Sequence, residues 1–199
     1  MIGKLSAYIV RLFIKQSVIR DEEQELYTYG FFMLLSQIIF LILACVYGLI
    51  FGCFFESIIF FIAFQFIRRY AGGYHAATET RCEIMSALSM AVCVGVIKLS
   101  KIYGFHTVLL AAGVLSAVCI FCLCPLDTPE KPLSEKEVKH YRKVSWLILL
   151  VIAVLMLVSY IFSIELLLAP SCLSLILESI LLAAGKIKRK AAGKIIDGV

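Results

Sequence analysis

Arg68-Arg69-Tyr70-Ala71-Gly72-Gly73-Tyr74-His75-Ala76-Ala77-Thr78-Glu79-Thr80-Arg81-Cys82-Glu83 is the stretch that decides how the chain is read. Apolar runs lie on both sides of it, about Phe54–Ile67 before and about Ile84–Leu99 after. Arginines, a Gly-Gly pair, a histidine, a cysteine and glutamates between such runs cost free energy unless water or protein reaches them. Ionisable groups at membrane depth therefore mark a functional site by default. Irregular backbone at that depth is tolerated only where protein buries it or a wet cavity receives it. The stretch is expected to line a cavity open to water on one side.

The rest of the chain has the composition of a membrane protein. It is 62% apolar and 17% charged, with a mean hydropathy of +0.98; soluble domains are about 45–50% apolar and about a quarter charged. The expected fold is all-α, a single polytopic membrane domain over residues 1–199. Apolar segments run from about Phe31 to Phe51, Phe54 to Ile67, Ile84 to Leu99, Phe105 to Cys124, Trp146 to Leu168 and Cys172 to Gly185. Pro170 is expected to separate the last two, because proline does not continue a helix. The second and third are short, so a four-span alternative lays them in the membrane as re-entrant pieces.

Residues 1–29 form a different unit. Ile2, Leu5, Ile9, Leu12, Phe13 and Ile14 recur at helical spacing among Lys4, Arg11, Lys15 and Arg20. That pattern predicts an amphipathic helix lying in the membrane surface, followed by the acidic connector Asp21–Glu25. The segment lacks the h-region and small-residue cleavage site of a secretory leader, so it is not expected to be removed. After the turn Pro125–Pro132, Ser134-Glu135-Lys136-Glu137 reads as a helix start.

The net charge of +5 does not point to nucleic acid, because the basic residues cluster at the ends of apolar runs. With six spans, 17 of the 19 Lys and Arg residues fall on one side, leaving only Lys98 and Lys101 on the other. The positive-inside rule then puts both termini, the 68–83 stretch, the Pro125 turn and the basic tail 186–199 in the cytoplasm, in contact with membrane lipids. The four-span alternative leaves the 68–83 stretch on that same side.

A thiol becomes a useful nucleophile when a neighbouring base takes its proton, and His75 and Cys82 supply that pair. On one straight helix they would lie about 10 Å apart along the axis, too far for the roughly 3–4 Å that direct proton transfer needs. A bend between them is therefore required. Gly72-Gly73 frees the backbone on one side, and Thr78 or Thr80 is suited to cap a helix starting near Cys82. Metal binding needs three or four ligands, which this stretch does not supply, and Cys119-Ile-Phe-Cys122 lies inside an apolar run with no histidine nearby. No metal or cofactor is expected. From the residues alone, a non-catalytic membrane protein with a polar gate at 68–83 remains an alternative.

The order Arg69…Gly72-Gly73-Tyr74-His75-Ala76…Cys82 after a short apolar segment resembles the signature of the accessory gene regulator B family. These are membrane cysteine endopeptidases that mature quorum-sensing peptides. The similarity extends to a basic amphipathic start, several spans and a Pro-Lys turn, here Pro125–Pro132. The resemblance implies Cys82 as nucleophile and His75 as general base, then acid. The implied substrate is a precursor peptide with an amphipathic start and an acidic tail. Loss of the tail would leave a thioester on Cys82, and a thiol or hydroxyl of the peptide would close a ring on it. Arg68, Arg69, Gly72, Gly73 and Lys131 are the candidates for substrate contact, and a homodimer is expected. Glu79, Glu83, Glu25 and Asp127 all remain open as a third, orienting group.

Overall fold

The structure, a computed structural model, describes residues 2–16, 18–74, 78–126 and 134–196, with side chains described as far as Arg189 and without that of Glu79. It is all-α. Among the described residues the helices are α1 (Ile2–Lys15), α2 (Gln24–Phe51), α3 (Phe54–Ala71), α4 (Glu79–Tyr103), α5 (His106–Leu123), α6 (Glu135–Ile161) and α7 (Glu165–Ile196), with a 3₁₀ turn at Asp21–Glu23. Five of them, α2 and α4 to α7, are long and apolar enough to cross a membrane. The chain is a multi-pass membrane protein.

α1 is amphipathic and packs on α2, burying Ile2, Ser6 and Val10 and stacking Phe13 on Phe31. α4 is one uninterrupted helix of 25 residues. The short apolar run Ile84–Leu99 is only its middle, extended at both ends by polar residues, so it is not a re-entrant piece. α3 has 18 residues and carries Glu56, Arg68 and Arg69, the reason its composition falls short of a free-standing span. It is instead packed within the bundle against α7, α2 and α6.

α7 is the central element, in contact with α3, α4, α5 and α6. From Leu168 to Leu175 every residue is buried. That stretch contains Ala169, Pro170, Ser171, Cys172 and Ser174, small residues that let helix backbones approach closely in a bilayer. Pro170 lies inside α7, which corrects the expectation that it separates two helices. Proline costs one backbone hydrogen bond to the carbonyl four residues earlier, here close to the helix start, and buried membrane helices tolerate such a loss. The chain actually reverses at Phe162–Ile164, where Ser163 has φ 53° and Ile164 N–H donates to Ser159 O at 2.8 Å. Apolar flanks hide this turn in the sequence.

Small groups also set the other helix contacts. Ser179 Oγ donates to Ser116 Oγ at 3.1 Å between α7 and α5, and Ser57 Oγ donates to Ala44 O at 2.9 Å between α3 and α2. Beside that bond, a Cβ added to Gly48 would lie 2.8 Å from Phe54 Cα. The bundle has two distinct ends. At one, Lys101 pairs with Glu56, His106 Nε2 lies 3.8 Å from Glu165, and Thr107 and Tyr160 hydroxyls meet at 3.2 Å. At the other, α6 starts with a capping box on Ser134 and Glu137, and Gly72–Tyr74, the Cys124–Leu126 segment and the basic end of α7 converge.

Overpacking a close helix crossing costs about 1–3 kcal/mol. Gly48→Val is therefore expected to lower the thermal unfolding midpoint in detergent clearly. Gly30→Ala, where an added Cβ has nothing within 4 Å, should leave it unchanged. Equal midpoints for the two variants would refute the α2–α3 contact.

Candidate functional site

The site begins where α3 stops. Ala71 is its last residue, and Gly72 and Gly73 follow with φ 83° and 134°, backbone that side chains other than hydrogen rarely adopt. Space is as restrictive as torsion: a Cβ on Gly72 would sit 2.6 Å from Leu126 O, and one on Gly73 would run into Arg68 Nη1. Leu126 N–H donates to Ala71 O at 2.9 Å, forming an isolated parallel bridge between Gly72 and Leu126. Tyr74 N–H donates to Leu181 O of α7 at 3.0 Å, and Lys188 Nζ lies 5.4 Å from the centre of the Tyr74 ring.

Arg68 ties these pieces together. Its Nη1 donates to Gly72 O at 2.8 Å and its Nη2 to Tyr74 O. The same guanidinium faces Glu178 of α7, with Nη1 3.8 Å from Oε2, an ion-pair distance rather than a hydrogen bond. The Glu178 side chain is fully buried and that of Arg68 is 17% exposed. Neither Glu178 oxygen has a hydrogen-bond donor among the described residues. Arg68 thus points into the protein, whereas Arg69 is exposed at the same helix end.

Cys82 lies on the far side of the loop, in the first turn of α4. Thr78 is extended (φ −136°, ψ 146°) and is the N-cap, its Oγ1 accepting from Arg81 N–H at 3.4 Å. Cys82 N–H donates to Thr78 O at 3.1 Å, the first turn-closing bond of the helix. Because Thr78 is extended, the helix bearing Cys82 does not extend back through the loop. Cys82 is half-buried. His75 and Lys131, and Asp127 among the candidate orienting groups, lie outside the described residues. Of the remaining candidates, Glu83 is half-buried on α4 and Glu25 is exposed at the start of α2.

Cys124 comes near the loop through its neighbour Leu126, but it is 4% exposed. Burial pushes the thiols of Cys124 and Cys53 up, which disfavours the reactive thiolate in both. Among the described residues, no group of three or more His, Cys, Asp or Glu is placed to hold a metal ion.

Glu178 is not among the residues that the sequence pattern singles out. It is the lone acid of the apolar run Cys172–Gly185, and a carboxylate in such a run needs a partner. That signal pointed to a cation near the same end, without saying which. Gly185 carries no such signal: an added Cβ would lie 2.6 Å from Leu126 Cδ2 and 3.0 Å from both Gly73 C and Tyr74 N. Its lack of a side chain lets the loop lie directly on α7.

A helical bundle that crosses the membrane and holds an irregular segment against its central helix, with a thiol at the start of the next helix, defines the class, a polytopic membrane protein with a polar site at one end. The chain belongs to the accessory gene regulator B family, whose model matches residues 6–182; the family is associated with peptide processing. Similar proteins include the AgrB-like protein 2 of Clostridium perfringens strain 13, 28% identical over 156 residues, covering 75% of this chain and 72% of that one. An AgrB-like protein of strain SM101 is 27% identical with the same coverage. No solved structure matches the chain significantly.

Gly73→Ala should strain the backbone and collide with Arg68, a local cost of about 1–3 kcal/mol. The expected result is faster hydrogen exchange at the Tyr74 and Leu126 amides, with the rest of the bundle unchanged. Unaltered exchange at both amides would contradict this geometry.

Proposed function

We propose that the chain is a membrane-embedded cysteine endopeptidase that removes the C-terminal tail of an autoinducing-peptide precursor and supports closure of a thiolactone or lactone. The observation that carries this reading is the break between α3 and α4. It lays the residues that precede His75, Gly73 and Tyr74, against α7 and leaves Cys82 in the first turn of a separate, Thr78-capped helix. An interruption of the helix between the two residues is compatible with a His–Cys pair, and family membership supports the peptide substrate.

In the proposed reaction His75 takes the Cys82 proton and the sulfur attacks the peptide carbonyl that precedes the tail. His75 then returns the proton to the departing amine. The tail leaves and the remaining peptide is held as a thioester. A thiol or hydroxyl within the peptide attacks that thioester, a ring closes, and the Cys82 thiol is regenerated. Thioester exchange is nearly isoenergetic, so ring closure onto a thiol needs no energy input. The uphill step from amide to thioester is drawn forward by departure of the tail. Water has to be kept from the intermediate, which favours an enclosed site.

In this reading the site end faces the cytoplasm, in accord with the positive-inside rule. Exposed Lys136, Lys139, Arg142 and Lys143 on α6 and Lys186 on α7 lie at that end and would attract an acidic tail. Arg69 contacts the substrate, and the protein acts as a homodimer in contact with membrane lipids.

The test is intact-mass spectrometry of the purified protein with precursor peptides. Wild type should gain the mass of the precursor minus its tail. Cys82→Ala should gain nothing, and His75→Ala should form adduct at least about 100-fold more slowly. Either variant cleaving at the wild-type rate, while present normally in the membrane, would refute the dyad.

A further inference from the structure

We infer that Glu178 and Arg68 form a positioning clamp, in which a buried carboxylate of the central helix fixes the peptide unit that leads into His75. This deepens the endopeptidase reading and rests on it for its chemical consequence. The geometry beneath it is independent of that reading.

Tyr74 O, which accepts from Arg68 Nη2, is the carbonyl of the peptide bond joining Tyr74 to His75. Tyr74 N–H is bonded to Leu181 O, and Gly72 O to Arg68 Nη1. Three main-chain groups of the loop are thus held, two by Arg68 and one by α7, immediately before the proposed base. Arg68 alone would be a flexible tether, since its side chain has several rotatable bonds and a charge that prefers water. Glu178, fully buried and 3.8 Å away, supplies the counter-charge that holds the guanidinium inside. It lies one turn before Leu181 on the same helix, so α7 anchors the loop both through main chain and through Arg68. The planar fork matters, because one guanidinium reaches two carbonyls and a carboxylate at once, which a lysine ammonium does not reproduce.

A carboxylate with no hydrogen-bond donor among the described residues and no exposure is costly, and mere filling of α7 would be served by leucine. Its place opposite the arginine that holds the loop accounts for its presence. In this inference both are positioning residues that act through the main chain of Gly72 and Tyr74. Their effect is on where His75 is held, and a misplacement of about 1 Å is enough to cost about 100-fold in rate.

The experiment uses the full chain in detergent micelles, with Glu178→Leu, Glu178→Gln, Arg68→Lys, Arg68→Leu and the Glu178→Leu/Arg68→Leu double variant. Two readouts are taken: hydrogen exchange at the Tyr74 amide, and the rate of the Cys82 adduct with a precursor peptide that wild type cleaves. Glu178→Leu is expected to speed Tyr74 exchange at least about tenfold and to slow acylation at least about tenfold. In the Arg68→Leu background the same change should alter acylation less than about twofold, because the penalties of residues acting as one unit do not multiply. Glu178→Gln should recover part of the rate. If Glu178→Leu fails to accumulate in the membrane, Arg68→Lys decides, since it keeps the charge pair and loses the fork; it too should speed exchange and slow acylation. Unchanged Tyr74 exchange, or penalties that multiply, overturns the clamp. Faster exchange in protein whose wild type forms no adduct keeps the clamp and removes the endopeptidase reading.

Discussion

The guanidinium of Arg68 is the point through which the site depends on the fold. A charge at the end of a helix packed inside a membrane bundle must find partners, and here it finds Gly72 O, Tyr74 O and Glu178. Removing one member of a buried ion pair typically costs about 3–5 kcal/mol because the other is left uncompensated. That magnitude is of the order of a domain's whole stability margin. The loop, α3 and α7 are therefore energetically one unit, and what perturbs α7 near Glu178 reaches the loop.

The small residues of the bundle serve the same arrangement. Gly185 lets the loop rest on α7, and the Ser116–Ser179 bond and the run Ala169–Ser174 bring neighbouring helices close to that central helix. Lipid tails provide no hydrophobic drive between helices, so close packing and polar contacts hold the bundle. The result is a rigid wall under a segment of irregular backbone, with the thiol on a separate helix start. Such a division would suit the proposed reaction, in which one group is held still while a peptide enters and leaves beside the other.

Much of this was legible in the residues. The amphipathic start, the membrane spans, the Ser134 helix start and the break after Gly72-Gly73 all follow from hydrophobic period and cap chemistry, which act locally. Thr78 caps α4 for the reason its side chain suggests. The features that were not legible are those decided by partners far apart in sequence. Pro170 reads as a breaker and is a buried residue of α7, because packing on four helices outweighs one lost hydrogen bond. The true turn, at Phe162–Ile164, has only Ser163 between apolar flanks and gives little local sign. Arg68 reads as a surface cation available to substrate; its engagement with Glu178 spans more than half the chain and shows only in three dimensions.

The central claim is that Cys82, alone among the eight cysteines, is the thiol that meets the peptide. The most direct measurement is competitive alkylation of the intact protein by a small neutral electrophile, with each cysteine quantified by mass spectrometry in the presence and absence of a precursor peptide. The account predicts that Cys82 reacts ahead of Cys122, which is more exposed, and that peptide slows Cys82 alone. Reaction ordered simply by exposure, with Cys82 unprotected by a peptide that the protein processes, would contradict it.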